Sequence, residues 1–339
     1  MAETKQHIGM IGLGVMGRNF LLNLADHGFS AAGYDKDGGK VKALREEGKD
    51  KAVKGAESVK EFLGLLERPR AVMLLVPAGK IVDSVIDELV PLLDDGDLIV
   101  DGGNSRFTDT DRRSQALAGK KLGFLGVGIS GGEKGARFGP SMMPGGAEDV
   151  YERVRPAFEA ASAKVDGEPC VTWLGPGSAG HYVKMVHNGI EYGLIQLLAE
   201  TYDLMKRGLG LDNDALHRVY AGWNEGEAAG FLVEITADIF AKTDDRTGNR
   251  LIDMVKDQAK QKGTGKWTSQ DAMDLQVPVP TIDAAVAWRD LSAFKEERVR
   301  AAETLRGPDR SLEADPKRFP GLLEEALFAA MIATYAQGL

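Results

Sequence analysis

The stretch GLGVMG, Gly12 to Gly17, constrains the fold more than any other part of this 339-residue chain. It fits G-x-G-x-x-G, follows the apolar run HIGMI and precedes GRNFLLNLADHG, whose apolar spacing is helical. Strand, tight glycine turn and helix N-terminus in that order form a cradle for a pyrophosphate. The glycines keep side chains away, and the unpaired N–H groups of the first helical turn point at the anion. Gly12, Leu13, Gly14, Val15, Met16 and Gly17 are therefore candidate cofactor contacts; the plainer alternative is a glycine turn that holds nothing. Asp35 ends the next apolar run, AAGYD, about 20 residues on, where a carboxylate binds ribose hydroxyls and repels a 2′-phosphate. Lys36 weakens that reading and Asp37 partly restores it, so NAD is expected, with NADP possible.

Short apolar runs continue to alternate with helical stretches: AVMLLV, DLIVD, KLGFLGV and finally CVTWL. This alternation predicts an α/β, Rossmann-like, doubly wound parallel sheet. VPAG (Val76, Pro77, Ala78, Gly79) and DGGNS (Asp101 to Ser105, with Asn104) each follow such a run, at the carboxyl edge where open sheets bind ligands. After the break GPGSAG the strand pattern stops and helical patterns run to the end. Two domains are expected: 1–178, dinucleotide-binding, and 179–339, all-α.

Composition narrows the partners. A formal charge of −9 argues against nucleic acid and anionic membranes, and an anionic small ligand would need a few placed cations. There is no apolar run of 18 residues, and MAETKQHIGMIGLG lacks the basic start of a secretory leader. The single cysteine, Cys170, reads as a small buried hydrophobe and suits a reducing compartment, so a cytoplasmic location is expected; no metal site is expected.

Three further segments supply polar groups. In VGISGGEKGARFGPSMMPGG, residues 127–146, Ser130, Gly131 and Gly132 form either an anion nest or a mobile glycine loop. QKGTGKWT places Lys262 and Thr264 around glycines without the spacing of a P-loop. Arg289, in AVAWRDLSAF, needs a partner among apolar neighbours: a salt bridge or a bound anion. Finally, on a helical wheel of KMVHNGIEY, Lys184, His187, Asn188, Glu191 and Tyr192 share an arc of roughly 140°, opposite an apolar stripe with Val186 and Ile190. That arc is either a solvated face or the wall of a polar pocket. Gly189 and Gly193 lean toward the pocket, because each costs about 1 kcal/mol within a helix.

Together GLGVMG, DGGNS, GISGGEKGARFGPSMMPGG, GHYVKMVHNGIEYG, QKGTGKWT and the closing ATYAQGL resemble the decarboxylating 6-phosphogluconate dehydrogenase family, over nearly the whole chain. The resemblance implies that Lys184 is the general base and Glu191 the general acid. It implies substrate contacts from Asn104, Ser130, Gly131, Gly132, His187, Asn188 and Tyr192, with Lys262, Thr264 and Arg289 at the phosphate. It implies cofactor contacts from the Gly12–Gly17 turn, Asp35, Lys36, Val76, Pro77, Ala78 and Asn104. NADP-using members commonly carry Asn-Arg-Thr where this chain has Asp35-Lys36-Asp37. The family's long form continues past ATYAQGL and is dimeric, so a homodimer and exposed apolar surface along 319–339 are expected. A non-decarboxylating hydroxyacid dehydrogenase and a silent dinucleotide-binding protein are the alternatives.

Overall fold

The computed structural model describes residues 4–307 and 311–339; the first three residues of the segment read for a leader lie outside them. The chain divides into two compact units, Met1–Met185 and Val186–Leu339.

The first unit is built on a seven-stranded sheet. Its strands are β1 (Ile8–Ile11), β2 (Ala31–Tyr34), β3 (Val53–Ala56), β4 (Ala71–Leu74), β5 (Leu98–Asp101), β6 (Gly123–Ser130) and β7 (Ser141–Gly146), in the order β3-β2-β1-β4-β5-β6-β7. The first six run parallel and β7 pairs antiparallel with β6. Eight helices fill the connections: α1 (Val15–Asp26), α2 (Gly38–Glu47), α3 (Val59–Leu65), α4 (Lys80–Leu89), α5 (Phe107–Ala118), α6 (Gly132–Phe138), α7 (Glu148–Glu152) and α8 (Arg155–Ala161). The period of two along the strands explains the layering. Met10, Met73, Leu98, Val100 and Val127 turn to a core shared with Phe20, Leu24 and Phe158. Their neighbours Ile11, Val72, Leu74 and Ile99 turn to the other face, against Phe62, Val82 and Leu89. Removing a fully buried ring such as Phe62 costs roughly 3–5 kcal/mol.

The doubly wound sheet is as expected, with three differences in its parts. β3 escapes notice because VKGA is short and only its last residue is buried. CVTWL is not a strand of the sheet: Val171 makes one isolated bridge to Met142, after a small ribbon of Lys164–Val165 with Glu168–Pro169. Cys170 is half-buried, not buried. The seventh strand comes instead from SMMPGG, inside the segment read as a glycine loop. As an antiparallel edge strand it tolerates Pro144 and the glycines that follow.

A long helix, α9 (Ala179–Asp203), carries the chain across the division into the second unit. There follow α10 (Asn213–Trp223), α11 (Phe231–Ala241), α12 (Leu251–Met254) and α13 (Thr264–Asp274). The last three are α14 (Pro280–Ser292), α15 (Lys295–Thr304) and α16 (Phe319–Gly338). One core joins Leu216, Tyr220 and Trp223 to Val233 and Phe240, with the Tyr220 and Phe240 rings stacked at 5.4 Å. A smaller core sets Ile190 and Leu194 of α9 against Ala272 and Ile282. On α16, Leu323 and Leu327 are buried while Leu322, Ile332 and Tyr335 are exposed. Among the described residues, no helix is long and apolar enough to cross a membrane.

Candidate active site

In the strand order, consecutive parallel connections run outward on both sides of the β1/β4 pair, so the carboxyl ends of β1 and β4 flank the switch point where such sheets bind dinucleotides. The glycine turn lies there. Gly12 has φ +98° and abuts Leu75, whose carbonyl oxygen would lie 2.5 Å from an added Cβ, so only glycine fits this turn. At Gly17 a Cβ would fall on the carbonyl of Gly12, which explains the close seating of α1. Around Gly14 nothing lies within 4 Å of a Cβ. Gly14 also caps α1 without a side-chain bond, leaving the first N–H groups unclaimed by any side chain of the cap. Leu13 is buried beneath the turn, Met16 half-buried and Val15 exposed; after β4, Val76 is half-buried and Pro77 and Ala78 exposed. An open glycine before an uncapped helix fits a pyrophosphate.

Asp35 is half-buried just after β2. Its Oδ2 accepts from the Leu13 N–H at 2.8 Å and its Oδ1 from the Asp37 N–H at 2.9 Å, and Lys40 Nζ stands 3.4 Å from both oxygens. The carboxylate is thus bonded within the protein and paired with a cation. Lys36 is exposed beside it and pairs with Glu88 at 3.4 Å.

The loops after β4 and β5 are tied together by Arg113, a residue of α5 that no sequence motif marks. Its Nη1 donates to Asp101 Oδ2 and Ser105 Oγ, both at 3.1 Å, and its Nη2 to the Gly79 carbonyl at 3.0 Å. Its Nε donates to Asp83 at 2.8 Å. Burial alone would raise the Asp83 carboxyl, but hydrogen bonds from Arg113 and Arg112 hold it below the usual range. Asp101, fully buried, also accepts from Gly103 N–H and the Ser105 hydroxyl. Between these anchors Asn104 is exposed at the loop tip.

Lys184 is 6% exposed, and glycines make its seat. At Gly128 of β6, an added Cβ would lie 2.8 Å from Lys184 Cγ and closer still to its Cβ. Gly126 gives the same room to His181, and Gly180 lies against Gly145 of β7. The first turns of α9 therefore rest on bare backbone of β6 and β7. Ser130 ends β6 half-buried, with Gly131 and Gly132 exposed where α6 begins. The mobile-loop reading of 127–146 is replaced by strand, helix and strand.

In the second unit the polar arc of α9 is half-buried at His187, Asn188, Glu191 and Tyr192, so it is not a solvated face. His187 Nδ1 is 3.1 Å from Asn188 Oδ1, and Asn188 Nδ2 donates to Thr264 Oγ1 at 3.0 Å. The Arg289 guanidinium lies 3.7 Å over the Tyr192 ring and donates to the Lys260 carbonyl. The salt bridge is not formed: among the described residues Arg289 has no carboxylate partner, and an aromatic face takes that place. Tyr192 in turn packs on Gly265, where a Cβ would stand 2.5 Å from its ring. Lys262, just before Thr264, is exposed. Glu191 has no hydrogen-bond or ion-pair partner among the described residues. Gly189 and Gly193 do not open a ligand pocket; a Cβ at either would meet Thr268 of α13 or Thr334 of α16 at 2.6 Å. They are points of close helix crossing. Among the described residues, no group of three or more His, Cys, Asp or Glu could hold a metal.

Known proteins resemble this chain in sequence and fold. The family model described as the NAD binding domain of 6-phosphogluconate dehydrogenase matches residues 7–175, and that described as the 6-phosphogluconate dehydrogenase C-terminal domain matches 180–339. The chain is 50% identical over 336 residues to the NADP(+)-dependent, decarboxylating 6-phosphogluconate dehydrogenase of Bacillus subtilis, covering 99% of this chain and 72% of that protein. It is 52% identical over 333 residues to decarboxylating 6-phosphogluconate dehydrogenase 1 of Saccharomyces cerevisiae, covering 97% and 68%. Among solved structures it is similar to Plasmodium falciparum 6-phosphogluconate dehydrogenase, described in its apo form, with its cofactor NADP+ and with its substrate 6-phosphogluconate. That likeness has a TM-score of 0.93 at 42% identity, over 98% of this chain and 72% of the other. Two of these descriptions name NADP, so these relatives do not support the preference for NAD read from Asp35. In this chain the Asp35 carboxylate is engaged by Leu13, Asp37 and Lys40.

Proposed function

The chain belongs to the 6-phosphogluconate dehydrogenase family, and from that premise we propose that it converts 6-phospho-D-gluconate to ribulose 5-phosphate and CO2 while reducing NADP+. We assign 1–178 to the dinucleotide and 179–339 to the substrate and to pairing of subunits, in a cytoplasmic homodimer. The observation that carries the reading is α9 itself: a buried lysine and an unpaired, half-buried carboxylate seven residues apart on one helix.

Seven residues span about 10.5 Å along the axis, and with both side chains reaching inward three carbons fit between amine and carboxyl. Lys184 is assigned to take the proton of the C3 hydroxyl. The nicotinamide, when bound, accepts the hydride from C3. The resulting 3-keto acid loses its carboxylate as CO2, leaving an enediol that Glu191 protonates at C1. The Gly12–Gly17 turn would hold the pyrophosphate and Val76 to Ala78 the adjoining part of the cofactor, with Lys36 and Lys40 supplying positive charge near the 2′-phosphate. Asn104 and Ser130 to Gly132 are assigned to the sugar acid, and His187, Asn188 and Tyr192 to its hydroxyls. Lys262, Thr264 and Arg289 hold the phosphate; Arg289, stacked on Tyr192 without a carboxylate partner, keeps its charge for an anion.

The test is turnover with 6-phosphogluconate and NADP+, following reduced cofactor and CO2 together. Equal yields are expected. Reduction without CO2 would indicate a non-decarboxylating hydroxyacid dehydrogenase, and cofactor binding without reduction a silent dinucleotide-binding protein.

A further inference from the structure

We propose that His181 is a positioning residue, tying the helix that bears Lys184 to the loop that bears Asn104 by way of Thr110. The inference rests on the functional reading above for the meaning of those two residues, but the contact itself does not depend on it.

His181 precedes Lys184 by three residues, so both point to the same side of α9. It is 1% exposed, with Nδ1 2.7 Å from Thr110 Oγ1. Gly126 gives it space: a Cβ there would stand 2.8 Å from Nδ1. Thr110 lies on α5 one turn before Arg113, the residue that fixes Asp101 and Ser105. One face of α5 thus holds the Asp101–Ser105 loop with Arg113 and the start of α9 with Thr110.

The residue type argues for a use. His181 Nε2 is buried with no partner in hydrogen-bond geometry, an unfavourable state that a leucine in the same space would avoid. Burial pushes the ring's pKa down; Asp101 opposes this and Arg113 adds to it, so the imidazole is neutral near pH 7. A neutral ring adds no second charge beside the buried Asp101–Arg113 pair, yet shares a hydrogen bond with the Thr110 hydroxyl at Nδ1, the hydroxyl also facing the Arg106 carbonyl at 3.3 Å. What it gives the site is a fixed spacing. Reacting groups must be held closely enough that a displacement of about 1 Å costs roughly hundredfold in rate.

The experiment compares Thr110→Val, which removes the hydroxyl at nearly constant shape, with Thr110→Ser, which keeps it, in the full chain. Thr110→Val should lower kcat by about 10–100-fold while the Kd for NADP+ stays within about twofold, and Thr110→Ser should remain within about threefold of the parent. With substrate deuterated at C3, the isotope effect on kcat should rise in Thr110→Val as hydride transfer becomes limiting. Hydrogen exchange at residues 102–105 should be severalfold faster in Thr110→Val and unchanged in Thr110→Ser. A Thr110→Val enzyme with parental kcat overturns the inference, as does a Thr110→Ser enzyme equally impaired, which would mean that the hydroxyl is irrelevant. If the parent chain does not turn over 6-phosphogluconate, the functional reading fails alone. The exchange comparison then decides the contact: faster exchange upholds the tie, and equal exchange removes it.

Discussion

Gly128→Ala is a steric probe of how Lys184 is placed. The added Cβ would meet Lys184 Cγ at 2.8 Å and its Cβ closer still, with the Gly180 carbonyl oxygen at 3.2 Å. Carbon atoms in ordinary contact are about 3.5–4.0 Å apart, so something must yield by about 1 Å. It cannot be the flexible end of the lysine, because the nearest atoms are those fixed by the α9 backbone; the helix or β6 has to move. Overpacking of this kind costs about 1–3 kcal/mol, and in a chain of this size each kcal/mol lowers Tm by about 2–4 °C. The kinetic effect is larger. Moving the proposed base by about 1 Å should reduce kcat roughly hundredfold, equivalent to about 2.7 kcal/mol of transition-state stabilisation. The glycine turn at β1 is untouched, so the Kd for NADP+ should hold. Steady-state kinetics, cofactor titration and a thermal melt on one preparation are sufficient. A Gly128→Ala enzyme with parental kcat and parental Tm would refute the reasoning.

Gly14→Ala should give the opposite pattern. Its φ of −61° suits alanine and nothing lies within 4 Å, so Tm should stay level while the Kd for NADP+ rises; a parental Kd would remove the pyrophosphate from that turn. The kcat/KM for NADP+ should exceed that for NAD+ by about tenfold or more, about 1.4 kcal/mol, and a ratio below one would restore Asp35 as a residue that selects NAD. The depressed pKa of His181 also has a sign in stability. The unfolded chain takes up a proton near pH 6.5 that the folded ring resists, so stability is full above that pH and falls below it, by at most about 1.4 kcal/mol per pH unit. Denaturant titrations between about pH 5 and 7 should show a shallower slope in His181→Asn, and identical slopes would mean that the buried ring does not control the loss.

Much of the first unit was legible because its features are local. A G-x-G-x-x-G between a strand and a helix serves few purposes besides seating a phosphate, and the glycines fall into the three steric parts that motif requires. β7 was not legible: Pro144 and paired glycines read as a turn, and only edge position makes them a strand. The glycines of LGVGIS carried a readable hint, since glycine inside a strand often marks the approach of another backbone. What approaches, the start of α9, is more than fifty residues away in sequence. Arg113 and His181 were missed for the same reason, because each acts on partners that only the fold brings near. On α9, spacing grouped Lys184 with Glu191 correctly on one arc. It could not tell that Gly189 and Gly193 serve Thr268 and Thr334, since helix crossings leave no periodic mark on the sequence.

The proposed chemistry begins with Lys184 removing the hydroxyl proton as hydride leaves. Lys184→Met keeps the stem and removes the amine, so a single-turnover mixture with 6-phosphogluconate and NADP+ isolates that step. No reduced cofactor above background is expected, with the Kd for NADP+ within about twofold of the parent. Reduction at a rate near that of the parent chain would contradict that chemistry.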